Sequence, residues 1–405
     1  ENMHDPSQRI TPLRKLQKNM KKQTRILTAG RDPEANFGIV NPPVYHASTI
    51  LFPTVEALYK GAANRYEGYT YGLTATPTSK ALEEAIAELE GYDQAIAVPS
   101  GLAAICAALL AFLGNGDHLL MVDSTYRPTR RFCDSMLKRF GIETTYYDPM
   151  IGAGISELMR PETKVVFTEA PGSLTFEVQD LPAICQAAHD GGAKVILDNT
   201  WSGGVYLSAP DMGVDVSVQA VTKYIGGHSD LMMGSIAMND EDFIKIKDAA
   251  CELGYGAAPD DCFLALRGIR TINARLPIHQ ETGLKLANWL DQRPEVDHVL
   301  HPALPSCPGH ENWKRDFTGS SGLFGFVLKE EFTKTHVAAM LDDMELFAMG
   351  YSWGGFESLI VPYGTTPPRS ALPWASGQLI RIHAGLEAPE DLIADLEAGF
   401  VRLNA

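Results

Sequence analysis

Six cysteines in 405 residues, with no CxxC pair among them, are too few and too scattered for a disulfide framework. Cys106, Cys133, Cys185, Cys251, Cys262 and Cys307 include several in apolar company, as in "AICAAL", and read as reduced core thiols of a cytoplasmic protein. Long hydrophobic runs are absent too. The most apolar stretch, "LAAICAALLAFL" from Leu102 to Leu113, is about half a bilayer crossing and reads as a buried helix; the opening residues do not have the form of a signal peptide. Positive charge is in deficit: thirty-four Lys plus Arg against fifty Asp plus Glu leave a formal charge of −16. That balance repels phosphate backbones and anionic head groups, so neither nucleic acid nor a membrane surface is an expected partner. The one basic run, "RKLQKNMKKQTR" from Arg14 to Arg25, reads as a solvated helix or terminal arm. There is no GxGxxG and no P-loop. His301, Cys307 and His310 in "HPALPSCPGH" match zinc spacing only loosely and lack an evident fourth ligand, so no metal is expected.

What is present is alternation. Residues 1–75 lack sustained periodicity and carry punctuation such as "RDPEANFG", which predicts an extended arm that needs a surface to lie on, such as another subunit. From 76 to 269, helical text ("KALEEAIAELEGY", "GLAAICAALLAFLG", "LPAICQAAHDGG") alternates with short apolar runs ("QAIAVPS", "HLLMVDST", "KVVFTEAP", "AKVILDNT", "VDVSVQAVTKY"). This is the βαβ pattern of a mostly parallel sheet covered on both faces, an α/β fold. Residues 270–405 read as a smaller α/β domain, with strand-like "GLFGFVLK" and "QLIRIHAG".

Chemistry in such sheets collects at the carboxyl ends of the strands. Lys223 follows "VDVSVQAV", where a snorkelling or ion-paired lysine is the plain alternative. Asp198 ends "AKVILD", where a carboxylate is costly without a cation or donor, although such an Asp is often just a cap. In "VPSGLAA", Ser100 is a candidate N-cap and Gly101 lets a ligand approach the first helical N–H groups, an anion cup. Together these supply what pyridoxal phosphate requires: a lysine for its Schiff base, an acid for its ring nitrogen and a cup for its phosphate. Tyr126 in "VDSTYR" could cover a flat cofactor, its alternative being a half-buried core tyrosine. Arg381, inside "QLIRIHAG", has the fork that binds a carboxylate by two parallel bonds, from a substrate or from an internal acid.

With "VNPPVYHASTILFPT", "LDNTW", "VQAVTKYIGGHSD", "HPALPSCPGHENWKRDFTGSSGLFGF", "YSWGGFESL" and "LIRIHAGLE", nearly the whole chain resembles the cysteine and methionine metabolism family of fold-type I pyridoxal phosphate enzymes, and within it the bacterial cystathionine β-lyase branch. The resemblance implies a mostly parallel seven-stranded sheet between helices, an N-terminal arm reaching a neighbouring subunit, and a homodimer or homotetramer. It implies that Lys223 bonds the cofactor aldehyde, Asp198 pairs with the ring nitrogen, Tyr126 stacks on the ring, and Gly101, Leu102 and Thr222 hold the phosphate beside Ser100. Arg381 and the Ser352 backbone would take the substrate α-carboxylate. Tyr351 and Trp353 in "YSWGG" resemble the β-lyase branch, whereas γ-synthases and γ-lyases typically carry a glutamate at the Tyr351 position.

Three positions depart from the family pattern. Tyr71 matches the tyrosine of a Tyr-x-Arg pair directed at the neighbour's cofactor phosphate, but Leu73 stands at the arginine, with Arg65, Thr74 or Thr76 as possible replacements. Ala220 stands where many relatives have serine, and Ser173 where they often have asparagine. The implied reaction is β-elimination of cystathionine to homocysteine, pyruvate and ammonia, with Lys223 as proton shuttle and Tyr126 helping to deprotonate the substrate amine. Other activities on the same scaffold are C–S lysis of cysteine, cystine or cysteine conjugates, and γ-elimination or γ-replacement. A regulatory protein that keeps the cofactor and has lost efficient catalysis is the rival of a different class.

Overall fold

The computed structural model describes residues 20–64, 66–365, 367–374 and 377–405; Arg65 and the first half of the basic run lie outside them. The segment read as an extended arm is not wholly extended. Its described residues hold two short helices, α1 (Lys22–Thr28) and α2 (Val55–Ala63), the second capped by Thr54. Helices of two turns carry too few apolar repeats for periodicity to reveal them. The rest of the arm leaves large apolar side chains in solvent: Phe37 is 98% and Leu51 88% exposed.

Helix α3 (Pro77–Glu90) has a full start signal, with Pro77 in its first turn and a reciprocal cap between Thr76 and Ser79. Gly91 ends it in the left-handed conformation. Behind it comes the larger sheet, with strands β1 (Gln94–Val98), β2 (His118–Val122), β3 (Glu143–Tyr147), β4 (Thr163–Glu169), β5 (Lys194–Asp198), β6 (Val216–Ala220) and β7 (Gly234–Met238). Their order is β1-β7-β6-β5-β4-β2-β3, and β7 alone runs against its neighbours. Both faces are covered, so the strands read as apolar runs while successive residues serve different cores. Leu119, Met121, Phe167 and Ile196 pack with Ala104, Ala108 and Leu109 of α4 (Gly101–Phe112). Leu120, Val122, Val166 and Leu197 pack on the other face with Leu82, Ile86 and Leu89 of α3.

Helices α5 (Arg127–Phe132), α6 (Leu181–Asp190), α7 (Asp240–Glu252) and α8 (Pro259–Ile269) complete this layer, and α9 (Ile272–Asp291) opens the second. There β8 (Val296–Leu300), β9 (Leu323–Leu328), β10 (Leu359–Gly364) and β11 (Leu379–His383) form an antiparallel sheet ordered β10-β11-β9-β8. Its core joins Phe324, Phe326, Ile380 and Ile382 to α9, α11 (Lys334–Leu341) and α12 (Pro389–Leu403), with the short α10 (His310–Asp316) lying apart.

The connection from β10 to β11 ties the two sheets together. The Asp123 carboxylate, just after β2, accepts backbone N–H bonds from Ser370, Ala371 and Leu372 at 2.8–3.2 Å and pairs with Arg130. Arg369 pairs with the buried carboxylate of Glu177. The β10–β11 connection of the smaller sheet is thereby held beside the strand ends of the larger sheet.

Candidate active site

Asp198 ends β5, and Lys223 follows the adjacent strand β6 by three residues. Asp198 Oδ1 accepts both the N–H and the hydroxyl of Thr200, at 3.0 and 2.5 Å. The same hydroxyl accepts the N–H of Ala220 at 2.9 Å, so Thr200 braces the two strand ends. Burial raises the Asp198 carboxyl above the usual range, while the Thr200 bonds and the charge of Lys223 pull it back.

Lys223 donates to Ser352 Oγ at 2.5 Å, and its ammonium lies 5.4 Å from the centre of the Trp353 ring. Burial, and then the Arg381 charge, lower its pKa to about 8, against the opposing pull of Asp198. A lysine so placed is a ready nucleophile and base at ordinary pH.

Ser352 links this amine to Arg381. Its backbone is left-handed, with φ +78°, and its carbonyl accepts from Arg381 Nη2 at 3.0 Å. The following turn is pinned by His383, whose Nε2 accepts the Gly354 N–H at 3.0 Å; burial keeps this imidazole neutral. Gly354 is obligatory here, because a Cβ would lie 2.9 Å from the Lys223 carbonyl carbon.

Ser100 caps α4 by accepting the Ala103 N–H at 3.0 Å, and the N–H groups of Gly101 and Leu102 ahead of it are ones the helix cannot use. A Cβ on Gly101 would sit 2.7 Å from that of Ala220, so glycine and alanine fit each other at the mouth of the cup. Thr222 is less free than expected: its hydroxyl lies 3.1 Å from the Met233 carbonyl and accepts the Met233 N–H at 3.0 Å.

Tyr126 precedes α5 and is 45% exposed. Its N–H donates to Glu169 Oε2 at 2.7 Å. Partial burial, then the carboxylates of Asp198 and Glu169, raise its phenol pKa, and Arg381 acts in the opposite sense. Glu169 gave no signal in the sequence. It ends β4 directly opposite Asp198, and burial, then that carboxylate, hold its own carboxyl well above the usual range.

Other expected residues lie differently. Tyr351 is 84% exposed and turned outward. Tyr71 bridges to Thr49, and its carbonyl accepts from Thr74 and Ala75, so its described bonds stay within the arm. Leu73 abuts Gly256, Thr74 bonds to Tyr71 and Thr76 caps α3, which leaves these hydroxyls locally engaged. Ser173 donates its N–H to the Ser124 carbonyl at 2.7 Å. His301, Cys307 and His310 bond separately, to the Ala303 N–H, the Phe176 carbonyl and the Pro302 carbonyl.

The residues fit pyridoxal phosphate on chemical grounds. Asp198 has Oδ1 saturated by Thr200, leaving Oδ2 for a ring-nitrogen proton; a lysine amine of lowered pKa stands across from it, and the Gly101 cradle is one that a Cβ would fill. Comparison with known proteins agrees. Residues 23–401 match the family model described as Cys/Met metabolism PLP-dependent enzyme. The cystathionine β-lyase MetC of Escherichia coli K12 is 44% identical over 391 residues, 95% of this chain and 99% of that protein. The cystathionine β-lyase of Salmonella typhimurium is 43% identical over 387 residues, 94% and 98% of the two chains. Among solved structures, the cystathionine γ-synthase of Xanthomonas oryzae in complex with cystathionine superposes with a TM-score of 0.87 at 30% identity, covering 95% of this chain and 99% of that one.

Proposed function

The chain belongs to the Cys/Met metabolism PLP-dependent enzyme family, and from that premise we propose that it cleaves the Cβ–S bond of cystathionine, releasing homocysteine, pyruvate and ammonia. The single observation that carries the chemistry is the Lys223 amine, lowered to about 8, on Ser352 and between Asp198 and Arg381. The β-lyase outcome rests on the similarity to cystathionine β-lyases.

Pyridoxal phosphate, when bound, supplies a sink for the electron pair left as a Cα–H bond breaks. Lys223 would hold it covalently, Asp198 through Oδ2 would keep its ring nitrogen protonated, Tyr126 would cover the ring, and the Ser100–Gly101–Leu102 turn would take its phosphate. Thr222 would turn its hydroxyl to that phosphate, Ala220 lines the cup against Gly101, and Ser173 closes the neighbouring loop. Arg381 receives the substrate α-carboxylate, which fixes the Cα–H bond relative to Lys223. Tyr126 would take the proton of the incoming amine as the phenolate, a form that burial, Asp198 and Glu169 disfavour and Arg381 favours. The freed Lys223 amine removes the Cα proton and returns it to the departing sulfur, with Ser352 Oγ holding the amine in line between the two acts. Trp353 walls the site beside the amine, and Tyr351 reaches toward the entrance.

The domain reading is an arm over 1–75, a cofactor domain over 76–269 and a smaller domain over 270–405. The arm's exposed Phe37, Leu51 and Tyr59 support self-association as a homodimer or homotetramer, with Tyr71 serving the neighbour's site. No described helix is long and apolar enough to cross a membrane, and the dispersed, mostly buried free thiols suit the cytoplasm. The test is steady-state turnover of cystathionine with product identification. Pyruvate is expected, and Lys223→Ala should remove both turnover and the visible absorbance of the bound cofactor. Formation of 2-oxobutyrate instead would place the chain among the γ-lyases.

A further inference from the structure

Arg381 has one end occupied by main chain and the other by a tyrosine that the sequence did not single out. Its Nη2 bonds the Ser352 carbonyl at 3.0 Å and lies 3.5 Å from that of Gly350, whereas Nη1 donates to the Tyr363 hydroxyl at 3.2 Å. The guanidinium carbon is 5.6 Å from the centre of the Tyr363 ring.

The backbone places that ring deliberately. In the pairing of β10 with β11, Val361 opposes Arg381, Pro362 opposes Ile380 and Gly364 opposes Leu379, so Tyr363 is the extra residue of a β-bulge. A bulge re-aims one side chain at the expense of a ladder position. Here the re-aimed side chain meets Arg381 and is among the groups acting electrostatically on the Tyr126 phenol, which puts it at the substrate end of the site.

A phenol oxygen that accepts from an arginine keeps its own O–H free to donate in another direction. A carboxylate approaching the more open Nη1 end of Arg381 comes within reach of that O–H. We propose that Tyr363 is a second anchor for the substrate α-carboxylate, donating to the oxygen that Arg381 Nη1 also holds. This rests on the reading of Arg381 given above and extends it to a residue outside the expected set.

Tyr363→Phe removes the hydroxyl and keeps the ring over Arg381, so fold and guanidinium packing should persist. The probes are L-alanine and L-alaninamide, which differ in the carboxylate, titrated calorimetrically into the cofactor-loaded enzyme. The expected result is L-alanine binding weakened about tenfold in the variant, the size of one charge-assisted hydrogen bond, with L-alaninamide unchanged. The KM for cystathionine should rise by a similar factor, and kcat should stay within about twofold. Equal weakening of both probes would mean that the Tyr363 hydroxyl shapes the site without meeting the carboxylate, and unchanged L-alanine binding would remove it from the site; either overturns the proposal. A wild-type enzyme that binds both probes alike would overturn the Arg381 reading and this inference with it, while leaving the identity of the reaction to the product assay.

Discussion

Replacing Lys223 with methionine should make the cofactor-free protein more stable near neutrality, and the gain should fade as the pH rises. In the folded chain the amine titrates at about 8 instead of 10.5, because burial and Arg381 disfavour its charge more than Asp198 favours it. The folded value is the lower one, so the cost of holding the ammonium is complete below pH 8 and is relieved as pH climbs from 8 to 10.5. The lowering corresponds to about 3 kcal/mol, of which about 2 kcal/mol is recovered between pH 7 and 9.5. Methionine fills the same space without a charge. It also forfeits the 2.5 Å bond to Ser352, so the absolute gain at pH 7 is smaller than the full cost. The change with pH is unaffected by that offset, and titrations common to both proteins cancel in the difference. Urea denaturation of the two cofactor-free proteins at pH 7 and pH 9.5 measures it. A stability difference that stays constant within 0.5 kcal/mol, about the scatter expected of independent effects, would refute the assignment of a strongly lowered amine.

Three further perturbations test the surrounding frame. Gly101→Ala drives a methyl to 2.7 Å from Ala220 Cβ, so pyridoxal phosphate affinity, followed by absorbance titration, should fall at least about tenfold, and Ala220→Gly in the same chain should restore part of it. Ser352→Ala and Ser352→Gly both lose the contact to Lys223 and should slow turnover about tenfold; glycine relieves the backbone at φ +78°, so its melting point should exceed that of the alanine variant by an amount worth about 1 kcal/mol. Arg369→Ala strands the buried Glu177 carboxylate and should cost about 3 kcal/mol in urea denaturation, with Glu177→Gln recovering a share.

Strand ends made much of the site readable. Ser100, Tyr126, Asp198 and Lys223 each follow an apolar run by a few residues, and an α/β layout sends all such positions to one edge of the sheet. Register was not readable. Glu169 gains its importance only because β4 and β5 pair it with Asp198, and nothing within "VVFTEAP" reveals that neighbour. Strand β8, "VDHVL", mixes polar residues into a short run, and β10 carries Pro362, which argues against a strand unless it lies at an edge, where β10 does lie.

The surroundings of Arg381 show why such gaps cluster at a candidate site. Arg381 was visible as a charge in an apolar strand, yet what it can bind depends on which of its nitrogens are already engaged. Those partners are set by two local departures from regular backbone, the left-handed Ser352 and the one-residue bulge at Tyr363. Neither is the residue a rule would choose: serine is not glycine at positive φ, and a tyrosine after proline would be read as the end of a strand. A regular ladder would seat Tyr363 opposite Leu379, the position that Gly364 takes instead. The irregularity that hides Tyr363 from sequence reasoning is the same one that delivers its hydroxyl to Arg381, so the bulge, more than the identity of any single residue, decides how the Arg381 guanidinium is engaged.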